Sequence, residues 1–476
     1  MSIIDIIIFI VYFALMLGIG VYFFRKNKNI DDYYVGGRSL GSWHIGLSVV
    51  ATDVGGGFSI GLGGLGFTLG IAGSWMLFTG LAGAWISAVI LIPVISKLSS
   101  KHKFFTFPQI FEHFYNNKVA LIAGIISAIG YIGFTSSQLL AGAKLASATF
   151  QQIDIQTALI FMGIIAVIYT GIGGLKAVIY TDTIQWIILM SGLILIGIPV
   201  SYSAVGGYDV IKSTLGDEFL SITNIPWQDI VNYTVTIIPI WFVGMTLYQR
   251  IYASRDEKQA KKAWFIAGLF EWPLMAFMGV FLGLLARVAM ERGMFVNIGY
   301  TPQTGMDAEM GLPVLLNSVL PVGLMGLMLS AYFSAILSTA DSCLMAASGN
   351  MQTDILSKIF RFRKDAKSQL RTSQIITITI GSLALLLASN MTNVLDLMLY
   401  SYAFMVSGLF IPVLFALYGK RPNANGAIIS MITGGSVTVT LTTVYQELPL
   451  GLDANIFGIT ASALTYTIVA LLTKKR

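Results

Sequence analysis

The chain has 476 residues, of which 55% are hydrophobic and only 11% charged, with a mean hydropathy of +0.77. Soluble domains carry roughly 25% charged residues, so a water-soluble globule is excluded and a polytopic membrane protein is indicated. The net charge of +6 is no nucleic-acid signature, because basic patches with interleaved aromatics are absent, and one cysteine, Cys343, excludes an intrachain disulfide or CxxC site.

Thirteen apolar segments are long enough to cross the bilayer: about 3–24, 43–70, 73–96, 119–148, 157–174, 181–203, 230–250, 264–290, 319–350, 372–390, 393–418, 424–445 and 455–473. In the first, the basic residues Arg25, Lys26 and Lys28 follow the apolar run, so it reads as a retained span and not a leader. An outside N-terminus then places the C-terminus in the cytoplasm. Of the 29 Lys and Arg residues, all but Lys144, Lys212, Arg287 and Arg292 fall in stretches that this topology puts inside: 25–38, 97–118, 176, 250–262, 358–371, 420–421 and 474–476. The positive-inside rule therefore supports a multi-pass protein of the cell membrane in that orientation.

The second segment contains ATDVGGGFSIGLGGLG, residues 51–66. Gly61, Gly63 and Gly66 spell GxGxxG, but a dinucleotide site needs a preceding strand and a βαβ unit. Here the neighbours are apolar spans, and close helix packing is the expected use of these three glycines. Gly55, Gly56 and Gly57 beside Asp53 differ. Each glycine costs about 1 kcal/mol in a helix relative to alanine, and freed backbone at membrane depth is tolerated only within protein or along a watery cavity. An intramembrane carboxylate costs roughly 3 kcal/mol or more and marks a pathway. Unwinding after Ala51 would release the carbonyls of Ala51 and Val54, hard oxygen ligands for a hard cation.

Along the fourth span, Thr135, Ser137 and Gln138 are candidates for lining a cavity, while Lys144 either snorkels outward or pairs with a carboxylate. In the seventh, Gly244 within WFVGMTLYQR is expected to interrupt the helix, with Trp241 and Thr246 as lining candidates. Glu271, beside Pro273 in the eighth, reads as a lipid-edge or interhelical residue. The ninth holds AILSTADSCLMAASG, residues 335–349. Ala335, Ser338 and Thr339 stand at i, i+3 and i+4, on one helical face. One carbonyl and two hydroxyls there, with the carbonyls of Ala51 and Val54, would make five oxygens, although each hydroxyl taken singly serves equally well as a bond within its own helix. Tyr400 and Tyr402 on the eleventh span complete the candidates.

With both segments in view, the chain resembles the sodium:solute symporter family, which includes proline, sialic acid, glucose and choline carriers. The resemblance rests on DDYYVGGRSLG, ATDVGGG, GGLKAVIYTDTIQ, YQRIYASRDEKQAKKA and ILSTADSCLMAASG, within residues 31–350. It implies an all-α, LeuT-like core of two inverted five-helix repeats, residues 43–203 and 230–418, with the flanking first span and extra spans in 424–476, all in one transporter domain. It also implies a sodium site at Ala51, Val54, Ala335, Ser338 and Thr339, and a second sodium position, found in some relatives, at Asp182, Ser338, Asp341 and Ser342. Asp341 stands where certain relatives have serine.

Sugar carriers place polar side chains where this chain has Phe58, Met76, Leu77 and Gly80. The tryptophans that cage a quaternary ammonium in choline carriers are replaced by Asp53, Thr135 and Gly244. Proline carriers have an aspartate at the position of Asp53. The expected function is therefore sodium-coupled symport of an amino-acid-like zwitterion by a monomeric unit in the bilayer, with no nucleic-acid partner, and Asp53 and Phe58 join the solute or gating candidates. The rival within the class is another organic solute, a choline-like cation, a carboxylate or a sugar. Outside the class, a channel needs a continuous pore, a sensor an output domain, and an enzyme a paired nucleophile and base; none of these is legible.

Overall fold

The computed structural model describes residues 2–26, 34–53, 55–150, 152–360, 366–445 and 448–473. Among the described residues every regular element is a helix, and strand pairing is limited to one isolated bridge between Leu40 and Ser254. Hydrocarbon offers no partner for backbone N–H and C=O groups, so each segment must satisfy them internally. Short polar residues start the helices. Asn116, Asp154, Asp256, Asp307, Asn393 and Asn423 each accept a backbone N–H from the first turn that follows. The Gln259 N–H bond holds the Asp256 carboxyl below the usual carboxylate range.

In chain order the principal helices are α1 (Ile3–Lys26), α2 (Ser42–Asp53), α3 (Gly55–Leu69), α4 (Trp75–His102), α5 (Pro108–Phe114), α6 (Asn117–Thr149), α7 (Ile155–Gly192), α8 (Ile198–Val205), α9 (Trp227–Val243), α10 (Met245–Ala253), α11 (Glu257–Leu269), α12 (Ala276–Glu291), α13 (Ala308–Val319), α14 (Leu324–Gly349), α15 (Ala366–Ala388), α16 (Val394–Tyr418), α17 (Ala424–Val444) and α18 (Ala454–Thr473). Nine helices among the described residues are long and apolar enough to span a membrane, or ten if the bent pair α9 and α10 is one span. The sequence gives thirteen segments. The count is by length and apolar composition of the described residues, among which Ile3–Met16 and Ile155–Val167 form shorter apolar helices, and the expected segment 43–70 is interrupted at Gly55, whose φ is +48°.

The expected segments 157–174 and 181–203 lie mostly in α7, whose helical backbone runs on from Ile155 to Gly192. Its two ends nevertheless sit at one end of the bundle. Gln156 donates to the Ser389 carbonyl at 3.4 Å, just past the end of α15, and Gly192 packs on Met328 at the start of α14. Ser373, near the start of α15, bonds to Gln352 just beyond the end of α14, so α14 and α15 are antiparallel and Ser389 and Met328 share an end. The Lys176 backbone lies against Gly36 at the opposite end.

That opposite end collects the basic segments. Arg38 donates to Ser99 Oγ at 3.1 Å and the Phe104 carbonyl at 2.8 Å, and Lys358 pairs with Glu112 at 2.8 Å. At the other end Asp5 accepts from the backbone of Gly323 and Gly326, Arg292 donates to the Val205 carbonyl, and Asn232 donates to the Gly451 carbonyl. Lys144 takes the pairing alternative, 2.5 Å from Asp307 and 2.6 Å from Glu309.

The GxGxxG glycines pack helices, as expected. A Cβ on Gly66 would stand 1.9 Å from the Val280 carbonyl oxygen of α12, and one on Gly283 would stand 1.9 Å from the Gly63 carbonyl oxygen. Backbone meets backbone, and rigid atoms cannot give way. Gly66→Ala is expected to cost about 1–3 kcal/mol, read as a lower melting temperature in detergent; an unchanged melting temperature would show that α3 and α12 separate freely.

Candidate cation and solute site

Two interrupted spans and one deeply buried helix build the site. The first interruption is at Gly55. Gly55 has φ +48°, and a Cβ there would lie 2.5 Å from Thr339 Oγ1, so both conformation and space restrict the position to glycine. The second falls at Gly244, with φ −68° and ψ 110°, where α9 and α10 bend by 44°. Between them runs α14, buried at every residue from Met328 to Gly349.

Thr339 Oγ1 lies 2.8 Å from the Ala51 carbonyl oxygen and 3.0 Å from that of Ala335. Its single hydroxyl hydrogen faces two carbonyls, so three oxygens converge where only one proton is available. Such a cluster suits a hard cation. Ala51, Ala335 and Thr339 are thus brought together from distant parts of the sequence, while Val54 lies outside the described residues. Ser338 is turned to a neighbouring cluster and donates to Asp182 Oδ1.

That cluster is organised by Arg250, which is fully buried. Its Nη2 stands 3.6 Å from Asp182 Oδ2 and donates to Thr52 Oγ1 at 2.6 Å, Ser342 Oγ at 2.8 Å and Ser48 Oγ at 3.2 Å. Ser48 also donates to Asp182 Oδ2 at 2.5 Å. Asp182 sits inside α7 and is itself fully buried. Asp341 is buried on α14 one residue before Ser342. Counting Arg250 among the loop cations, as the charge rule does, is corrected here: after the Gly244 break, α10 turns inward and carries the guanidinium into the bundle.

Of the remaining candidates, Asp53 is buried and accepts from Tyr402 Oη at 3.3 Å. Thr246 pairs with Tyr131 through its hydroxyl and its backbone N–H, both at 3.0 Å. Thr135 and Ser137 bond to carbonyls of their own helix, Tyr131 and Phe134, and Gln138 is buried beside Ser137 and Met398. Trp241 is buried edge-to-face against Trp264, over Gly83. Tyr400 is half-exposed, with Asp396 and Asp453 for neighbours; two positions from Tyr402 on a helix, it faces away from Asp53, which corrects its place among the lining residues. The side chain of Phe58 lies outside the described residues.

Sequence reasoning passed over Ser48 and Thr52. Ser48 and Thr52, like Ser338 and Ser342, are hydroxyls at i and i+4 on one face, and these two pairs around an arginine were the available signal. Glu271 is fully buried with its carboxyl against that of Asp53, so it is not a lipid-edge residue.

A model of the sodium:solute symporter family matches residues 33–434. The osmoregulated proline transporter OpuE of Bacillus subtilis is 28% identical over 98% of this chain and 94% of its own length. The sodium/proline symporter of Escherichia coli is 28% identical over 90% of this chain and 86% of its own. Among solved structures, a Na+-coupled sialic acid symporter in a substrate-bound outward-open state matches with a TM-score of 0.81 over 99% of this chain and 98% of that one, at 22% identity; the two share a fold.

Proposed function

The chain belongs to the sodium:solute symporter family and is a sodium-coupled membrane transporter, and from that premise we propose that its solute is an amino-acid-like zwitterion of the proline type. The observation that carries this reading is the convergence of Thr339 Oγ1 with the Ala51 and Ala335 carbonyls at the break beside Asp53, which sets cation oxygens near a carboxylate for a solute ammonium. The full-length similarity to OpuE and to the sodium/proline symporter, whose names specify proline, supports the same solute.

In this reading sodium takes the carbonyls of Ala51, Val54 and Ala335 and the hydroxyls of Ser338 and Thr339, with Ser338 leaving Asp182 to do so. Asp182, Asp341 and Ser342 do not hold a second sodium, because the Arg250 guanidinium already supplies a positive charge to Asp182 and a donor to Ser342. Thirteen spans, an outside N-terminus, inverted repeats over 43–203 and 230–418, and a monomeric unit in the bilayer complete the proposal. The breaks beside Asp53 and at Gly244 fall at the start of each repeat, the arrangement in which discontinuous helices hold ions and solute at the midplane.

One sodium ion moving down a tenfold gradient and 100 mV supplies roughly 3.7 kcal/mol, enough for about a 500-fold accumulation of a zwitterion. Reversal-potential measurements with L-proline in proteoliposomes are expected to give a sodium-to-solute ratio of one. A ratio of two that falls to one in Asp182→Ala would place a second ion at Asp182, and L-proline uptake indifferent to sodium would overturn the proposed solute and site together.

A further inference from the structure

We infer that Glu271 and Asp53 form a paired-carboxylate clamp for a solute ammonium group bearing at least two N–H bonds, which makes Glu271 a specificity residue of the solute site. The inference deepens the zwitterion reading above and rests on it for the identity of the site. Glu271 is fully buried, and among the described residues no group besides the Asp53 carboxyl is a partner for its carboxyl oxygens. Its carboxyl meets that of Asp53, which also accepts from Tyr402. The buried cations are committed elsewhere, Lys144 to Asp307 and Glu309 and Arg250 to Asp182. Two facing carboxyl groups can share one proton between them, and an ammonium with two N–H bonds can take that proton's place, giving each carboxylate a donor and a positive charge.

The backbone is shaped to bring Glu271 there. Residues Phe270–Met275 depart from regular helix, with Trp272 at φ −135° and ψ 126° ahead of Pro273, which lacks an N–H and cannot continue the ladder. Irregular backbone at membrane depth is tolerated where it is buried or lines a cavity, and this irregular stretch faces the break beside Asp53. On α4, Gly80 clears the space: a Cβ there would lie 1.9 Å from Glu271 Oε2. The Ala51 carbonyl faces Thr339 while the Asp53 carboxyl faces Tyr402 and Glu271, so the clamp and the proposed sodium ligands use different groups of the same turn.

The donor count sets the solute class. A secondary ammonium, as in proline, has two N–H bonds, one for each carboxylate; a primary ammonium has three; a quaternary ammonium has none and would leave the acceptors unmet, a discrimination that buried polar sites enforce strongly. The test is a thermal-shift and uptake panel on the full chain at saturating sodium: L-proline, L-alanine and putrescine as N–H donors, against N,N-dimethylproline, choline and cyclopentanecarboxylate. At least one N–H ammonium solute is expected to bind at least tenfold more tightly than every quaternary or amine-free compound. Glu271→Gln and Gly80→Ala are each expected to weaken it at least tenfold while the sodium-induced shift, which reports a folded protein, is retained. Binding of N,N-dimethylproline or cyclopentanecarboxylate as tight as the amine, no binding of any amine, or a Glu271→Gln protein with changed sodium affinity but wild-type amine affinity would each overturn the clamp. If L-proline fails but another amine binds and loses affinity in Glu271→Gln, the proline reading falls and the clamp stands; if L-proline binds equally well to wild type and Glu271→Gln, the clamp alone falls.

Discussion

Arg250→Met is expected to destabilise the protein by about 3–5 kcal/mol and to abolish sodium-driven uptake. Arg250 and Asp182 are both fully buried, 3.6 Å apart, and removing one member of a buried pair strands the other charge without compensation. The guanidinium also holds Ser48, Thr52 and Ser342, so one side chain ties α2, α7, α10 and α14 together. Arg250→Lys keeps the charge but loses the planar fork that reaches three hydroxyls and a carboxylate, and is expected to recover part of the stability only. Pairing Arg250→Met with Asp182→Asn removes the stranded charge and should restore part of the loss, a non-additivity that a double-mutant cycle reads directly. Thermal melts in detergent measure the first effect and proteoliposome uptake the second; additive losses in the cycle would show that the two residues act independently.

The double replacement Ser338→Ala with Thr339→Ala is expected to raise the sodium concentration for half-maximal uptake at least tenfold, equivalent to about 1.4 kcal/mol or more, and to collapse accumulation. Thr339 Oγ1 joins the Ala51 and Ala335 carbonyls, and Ser338 supplies the remaining hydroxyl of the proposed ligand set. The single variants separate the two roles. Thr339→Ala removes an oxygen from the convergent cluster and should carry most of the sodium effect, whereas Ser338→Ala also removes a donor to Asp182 and should lower the melting temperature as well. Unchanged sodium dependence in a folded double variant would remove both residues from the cation site.

Much of this architecture is local and therefore readable along the chain. Hydropathy separates the spans because hydrocarbon admits only internally bonded helix. The glycine-rich stretch after Asp53 marks a break, and Gly244 marks another, because both positions weaken a helix by their own chemistry. The i, i+3, i+4 spacing of Ala335, Ser338 and Thr339 places them on one face of whatever helix contains them. Family membership was legible for the same reason, in short motifs that carry these local features.

What the tertiary structure decided concerns side chains whose role depends on remote backbone. The charge rule assigns Arg250 to the cytoplasmic rim from its distance along the chain; only the 44° bend at Gly244 turns α10 back into the bundle and buries it beside Asp182. Ser338 neighbours Thr339 on the same helix yet bonds to Asp182 of α7, while Thr339 bonds to the Ala51 carbonyl of α2. Tyr400 and Tyr402 are equivalent in the sequence, but the rotation of α16 points one toward Asp53 and leaves the other half-exposed. Glu271 faces Asp53 because Gly80, far away in the chain, has no side chain to stop it. Helical period, glycine and charge act within a turn or two and are fixed by composition and order; the partner a buried polar group finds is set by how helices rotate and bend against one another, which no short stretch of sequence contains.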